Sequence, residues 1–253
     1  MKRAMLSMTP ALLGTALFGT ALSGCTPAAP DQTRAAAQAA AWTRPPVIAR
    51  VVRSGSALVV SGVAEPEGRV VLRSDQGEAF AASADARGRF EIRLPAPPGH
   101  LLLRPEVQVG QDAALSPDQL LILAGGQGPV AVLRPGAPTR RLDAAPPLGA
   151  VDSDSGMRLA SGQVAPGTAG VEVGSDSESV QVAPDASGRW SVMLPPYDGP
   201  DEIRVAGRSF VWPGEAASSR GLTVDQAGSG WRVAWSGPGG ARQSTWLPVA
   251  ATP

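Results

Sequence analysis

The side chains able to carry chemistry in this chain are few. They are a single cysteine, Cys25; a single histidine, His100; an acidic run, Asp152-Ser153-Asp154-Ser155-Gly156; and an aromatic group, Trp231, Trp235 and Trp246. A thiolate is a nucleophile, so Cys25 is a site for covalent modification. Acids two apart before a glycine can turn their oxygens toward one hard cation. Indole rings give broad apolar faces for a core, a sugar ring or a partner protein.

Catalysis is excluded largely by what these groups lack. His100 follows Pro97-Pro98-Gly99 and reads as a solvated loop residue rather than a base. No lysine follows Lys2 and no Gly-x-Ser-x-Gly occurs, so Schiff-base chemistry and a serine elbow have no residues to use. A zinc site of the His/Cys type cannot be assembled from one of each. Carboxylates alone could serve a glycosidase, but two domains of this size leave little room for a cleft. The chain is therefore expected to be no enzyme and to need no cofactor.

The calcium reading of Asp152 and Asp154 would recruit Asp176, Glu178, Asp198 or Asp201. EF-hand spacing is absent, and the matching stretch Val52-Arg53-Ser54-Gly55-Ser56 carries no acid. A polar exit from a linker, with no metal site, is the expectation.

Cys25 gains meaning from what precedes it. Lys2 and Arg3 form a basic n-region, Ala4 to Leu22 is an apolar run, and small residues stand before the cysteine, which is the layout of a secretory signal. Pro10, Gly14, Gly19 and Gly24 weaken the same run as a membrane helix, and no stop-transfer charges follow it. Leu22-Ser23-Gly24-Cys25 resembles the lipobox of bacterial lipoproteins. The resemblance implies cleavage before Cys25, a diacylglycerol on its sulfur and acylation of the new amino-terminus. Residues 1–24 would be the signal peptide and Cys25 the lipid attachment site. Two or three acyl chains, at about 0.8 kcal/mol per buried CH₂, hold a protein to a membrane essentially permanently. Thr26 is not the Asp that retains enterobacterial lipoproteins at the inner membrane, so the resemblance favours the outer membrane, facing the periplasm.

Loss of residues 1–24 removes Lys2 and Arg3 and no acid, leaving acids in excess by two, a balance that argues against a nucleic-acid partner. With Cys25 acylated, no thiol remains for a disulfide, so the folded part must be stabilised by its cores. Residues 25–46 are rich in Ala, Pro and Thr with little to bury, and read as a flexible tether.

The rest of the chain repeats itself at an offset of one hundred residues. Ser61-Gly62 recurs as Ser161-Gly162, and Asp85-Ala86-Arg87-Gly88-Arg89-Phe90 as Asp185-Ala186-Ser187-Gly188-Arg189-Trp190. The register slips by one where Val70, Leu72 and Ser74 match Val171, Val173 and Ser175, and recovers before Asp85. Phe90, Ile92 and Leu94, like Trp190, Val192 and Leu194, alternate with polar residues as a half-buried strand requires. By the same alternation, Ala57 and Val59 are expected to face the core with Met157 and Leu159. Asp85 and Asp185 precede a turn glycine and read as turn caps.

Short strand-like runs separated by Gly/Pro turns, with no helix-period segment, predict an all-β chain of two tandem β-sandwiches, residues 47–143 and 151–250, joined by a linker within Asp143 to Ala150. A linker of that kind predicts two domains that melt independently. The stretch Ser61 to Val70 followed by Asp85 to Pro95 resembles the bacterial immunoglobulin-like domains of cell-surface and envelope proteins. That likeness implies an immunoglobulin-like sandwich and does not specify an activity.

Trp231, Val233 and Trp235 share one face of a strand, and Trp246 follows across Gly237-Pro238-Gly239-Gly240, so the rings are expected to meet across a hairpin as part of the core, with an exposed aromatic platform as the alternative. Two functional expectations follow. One is a non-catalytic, membrane-anchored envelope scaffold or protein-interaction module. The other is a carbohydrate- or peptidoglycan-binding module built on those tryptophans.

Overall fold

The computed structural model describes residues 43–249, except 155, 176, 177, 198, 218–220, 238 and 239. Residues 1–42, which include the expected signal peptide, Cys25 and nearly all of the expected tether, lie outside the described residues. Among those described the chain is almost entirely β, in antiparallel sheets that pack as sandwiches.

The first repeat begins with β1 (Val47–Ser54), β2 (Ala57–Val63), β3 (Arg69–Ser74), β4 (Ala79–Ser83), β5 (Arg89–Pro95) and β6 (Leu101–Val109). One sheet has the order β1-β2-β5. The facing sheet holds β4-β3-β6 and continues through β7 (Asp112–Leu115), β8 (Gln119–Ile122), β9 (Val130–Leu133) and β10 (Arg140–Arg141). Both β7 and β8 pair with β6, and Pro117, which has no N–H to donate, stands between them.

The second repeat copies this plan. Its strands are β11 (Leu148–Asp154), β12 (Met157–Gln163), β13 (Val171–Gly174), β14 (Ser179–Val182), β15 (Arg189–Leu194), β16 (Asp201–Val205) and β17 (Arg208–Trp212). The ladder β15-β12-β11 reproduces β5-β2-β1, and β14-β13-β16 reproduces β4-β3-β6. Even the irregularity is repeated: the β1–β2 register shifts between Ile48 and Arg50, and the β11–β12 register between Leu148 and Ala150. The one-residue slip read from sequence is absorbed in a hairpin. Val70 pairs with Ala82 and Leu72 with Phe80, as Val171 pairs with Val182 and Val173 with Val180.

A meander then departs from the copy. β18 (Thr223–Ala227), β19 (Gly230–Ser236) and β20 (Arg242–Pro248) extend the first sheet of the second repeat, with β20 pairing β11. These strands do not join the sandwich as extra members of its second sheet. They widen a sheet whose outer face meets the first repeat.

The outcome is a stack of sheets with three apolar layers. Leu58, Val60, Leu72, Phe90, Ile92, Leu103 and their neighbours fill the first sandwich, and Val171, Val173, Trp190, Ile203, Trp212 and Trp246 fill the second. The third layer lies between the repeats. Leu102, Leu121, Leu123, Ala131 and Leu133 of the first meet Ala150, Val233, Trp235 and Leu247 of the second. This layer explains why β8 and β9 are apolar at every position but Gln119: both their faces are covered, so no alternation is needed.

Two sequence expectations are corrected here. The stretch from Asp143 to Ala150 is not a free connector: β11 begins at Leu148, and Asp143 binds Arg141 through both carboxylate oxygens. In β2 and β12 the inward residues are Leu58 and Val60, and Arg158 and Ala160, rather than Ala57, Val59, Met157 and Leu159. Apolar residues on both faces of Ala57-Leu58-Val59-Val60 left the alternation without a direction.

Candidate functional site

The turn aspartates occupy equivalent places. Asp85 Oδ1 accepts from the backbone N–H groups of Arg87 and Arg89, and Asp185 Oδ1 from those of Ser187 and Arg189. Both carboxyls are held below the usual carboxylate range, Asp85 chiefly by the Arg89 N–H and Asp185 chiefly by the Ser187 hydroxyl. Gly88 and Gly188 take the positive φ that closes each turn.

The three tryptophans do not form one cluster. Trp246 pairs in register with Arg232, the residue between Trp231 and Val233, so it points to the other side of the sheet. It is fully buried in the second sandwich, where its Nε1 donates to the Ala227 carbonyl. Trp235 is buried in the layer between the repeats and donates from Nε1 to Thr245 Oγ1. Trp231 is half-buried against the same layer and meets His100 edge to face at 5.2 Å. Only Trp231 retains any surface for a sugar ring.

His100 is correspondingly not a free loop side chain. Its Nδ1 accepts from the Ala124 N–H and its ring abuts Trp231 of the other repeat. Sequence separation of more than a hundred residues hid this contact.

Asp152 is turned inward at the junction of the repeats. Its carboxylate accepts from the Thr139 N–H at 2.7 Å, the Thr139 hydroxyl at 2.6 Å and the Thr245 hydroxyl at 2.7 Å. Burial raises its pKa, against these hydrogen bonds. Oxygens engaged in this way are not available to a cation, and Asp154 on the same strand is exposed. Among the described residues, no group of three His, Cys, Asp or Glu is placed to hold a metal ion. Asp176 and Asp198 lie outside the described residues.

A buried ion pair was missed altogether. Arg158 Nη1 donates to Asp201 Oδ2 at 2.6 Å, its Nε and Nη2 donate to the Pro195 carbonyl, and Trp212 lies 4.9 Å from its guanidinium carbon. An arginine on an alternating strand is read as outward, and the apolar residues on both faces of its offset counterparts Ala57 to Val60 gave nothing to correct that reading.

A concavity lies between the repeats. It encloses about 950 Å³, within the range of small-ligand sites. Arg134, Arg140, Arg141 and Arg189 all line it. Arg134 is paired with Asp118 at 2.6 Å, Arg141 with Asp143 at 2.5 Å and Arg189 with Asp185 at 3.2 Å. Arg140 donates to the Ile48 carbonyl and has no carboxylate partner among the described residues. No protein-family model matches the chain, and no curated protein matches it. The cleft is thus characterised by its own chemistry alone: a concave junction lined by four arginines and by Asp118, Asp143 and Asp185, assembled from both repeats.

Proposed function

We propose that this chain is a non-catalytic lipoprotein of the bacterial cell envelope, held to a membrane by acylated Cys25 and acting as a scaffold or protein-interaction module. The observation that carries this reading is Leu22-Ser23-Gly24-Cys25 closing an apolar, amino-terminal run that starts after two basic residues. The tether of residues 25–46 would let the folded part stand clear of the lipid surface. The outer membrane, periplasmic side, is the placement favoured by Thr26.

The described residues support a scaffold in two ways. Asp85 and Asp185 are engaged in turns, Asp152 in the repeat junction and His100 in a hydrogen bond to backbone, which is how groups that hold a fold together are used. The layer between the repeats, with Trp235 inside it, would also make the two sandwiches one stiff spacer rather than beads on a string.

Fractionation of cells making the full-length protein tests the reading. The protein should sediment with membranes, resist extraction by high salt or alkaline carbonate, dissolve in detergent, and follow outer-membrane markers on a density gradient. Recovery of the wild-type protein in the soluble fraction would overturn it.

A further inference from the structure

Three arginines of the cleft between the repeats stand in one another's field. The guanidinium of Arg140 is displaced below its ordinary pKa by burial, by Arg189 and by Arg134, with only Asp118 acting in the opposite direction. Asp118 is bound to Arg134 and Asp185 to Arg189, so Asp118, the strongest of the charges acting on Arg140, reaches it without a direct ion pair. Arg140 and Arg141 are adjacent on β10 and divide the work: Arg141 ties the repeats together through the Gly149 and Pro248 carbonyls, whereas Arg140 lines the cleft. Arg134 and Arg189 are each paired with an aspartate, whereas Arg140 has only the Ile48 carbonyl in direct contact, and a half-buried cation left as the one uncompensated charge of the cleft suits an oxyanion. The wall also contains Trp190, whose indole N–H is buried and finds no acceptor in the protein.

We propose that the cleft between the repeats binds an oxyanion, a carboxylate or phosphate group of a small ligand, with Arg140 as its charged anchor and Arg134 and Arg189 flanking it. Both repeats contribute, Arg134 and Arg140 from the first and Arg189 from the second, so the site exists only in the assembled stack. It does not rest on the lipid anchor, and Cys25 stays unchanged in every protein titrated.

Isothermal titration of the full-length protein in detergent, at constant chloride, tests this with inorganic phosphate and separately with succinate. Saturable binding of at least one is expected, and which one assigns a phosphate- or a carboxylate-bearing ligand. Arg140→Gln should weaken it about tenfold or more, since a charge-assisted contact is lost. Arg208→Gln, on β17 outside the cleft, should bind as the wild type does. If Arg140→Gln fails to fold, Arg189→Gln at a half-exposed position serves in its place, leaving Asp185 unneutralised beside the site and weakening binding in the same direction. Absence of saturable binding by both probes, or wild-type affinity in the folded arginine variants, would overturn the proposal.

Discussion

Arg158 and Asp201 form a buried ion pair at the places that Leu58 and Leu101 occupy in the first repeat. Arg158 stands opposite Leu194 in its ladder as Leu58 stands opposite Leu94, and the Leu101 and Asp201 strands share the same offset. Two buried leucines of the first core stand where the second repeat has an ion pair, changed at both ends together. Asp201 Oδ1 is buried without a partner, so the pair is incompletely satisfied.

Buried pairs recover their desolvation only with good geometry, and breaking one is worse than replacing both members. Asp201→Leu alone should therefore destabilise by about 3–5 kcal/mol, by leaving the Arg158 charge buried. The double variant Arg158→Leu, Asp201→Leu, which takes the residues of the first repeat, should melt within a few degrees of wild type. Chemical denaturation of the three proteins measures this; equal losses in single and double variants would contradict it.

Gly62 and Gly162 are the tightest points of the two copies. A Cβ on Gly162 would approach the Pro147 carbonyl oxygen to 1.9 Å and the Trp190 ring to 2.8 Å, and one on Gly62 would meet the Val47 carbonyl at 2.1 Å and the Phe90 ring at 2.9 Å. Backbone cannot yield as a flexible side chain does, so Gly162→Ala should destabilise by about 3 kcal/mol, at the upper end of overpacking costs. Gly55, with open space around its Cβ position but a positive φ, should lose less on the same change, about 1 kcal/mol. Thermal melts of the two variants would rank them; an equal or reversed order would refute the crowding argument.

Trp235→Ala should cost about 3–5 kcal/mol. Because its ring sits between the repeats, the loss should appear in the unfolding of both. Tandem sandwiches joined only by a linker would keep the first repeat at its wild-type melting temperature. Hydrogen exchange on Leu121 and Leu133 distinguishes the cases: their protection should fall in the Trp235→Ala variant, and unchanged protection would contradict the shared layer.

The acidic group at the junction gives a pH signature. Burial holds Asp152 above its ordinary value of about 3.8, so the native state binds this proton more tightly than the unfolded chain. Its contribution is fully present below that value and is lost as pH rises through the raised native value. Asp152→Asn has no such titration. The stability of wild type minus that of Asp152→Asn should therefore fall with rising pH above about pH 4, at no more than about 1.4 kcal/mol per pH unit. A difference that grows with pH would contradict the assignment.

The repeat, its turn caps and its core alternation were readable from residues because each is local: Asp85-x-x-Gly88, Phe90-x-Ile92-x-Leu94 and their copies encode turn and face within a dozen positions. What lay between the repeats was not readable. Leu121, Ala131 and Trp235 look like ordinary core residues, and nothing local distinguishes a face turned to its own sandwich from one turned to the neighbour. Arg140 and Arg189 likewise meet only through the packing of distant strands, so the cleft has no sequence motif. The proposed anchor at Cys25 is the converse case, read wholly from local sequence.

The most direct test of the account is metabolic labelling with a fatty-acid analogue, comparing wild type with Cys25→Ser. The wild-type protein should take up label and migrate as the processed form, and the variant should take up none and accumulate unprocessed or soluble. Equal label in the two proteins would contradict the anchor, and with it the placement of this chain in the envelope.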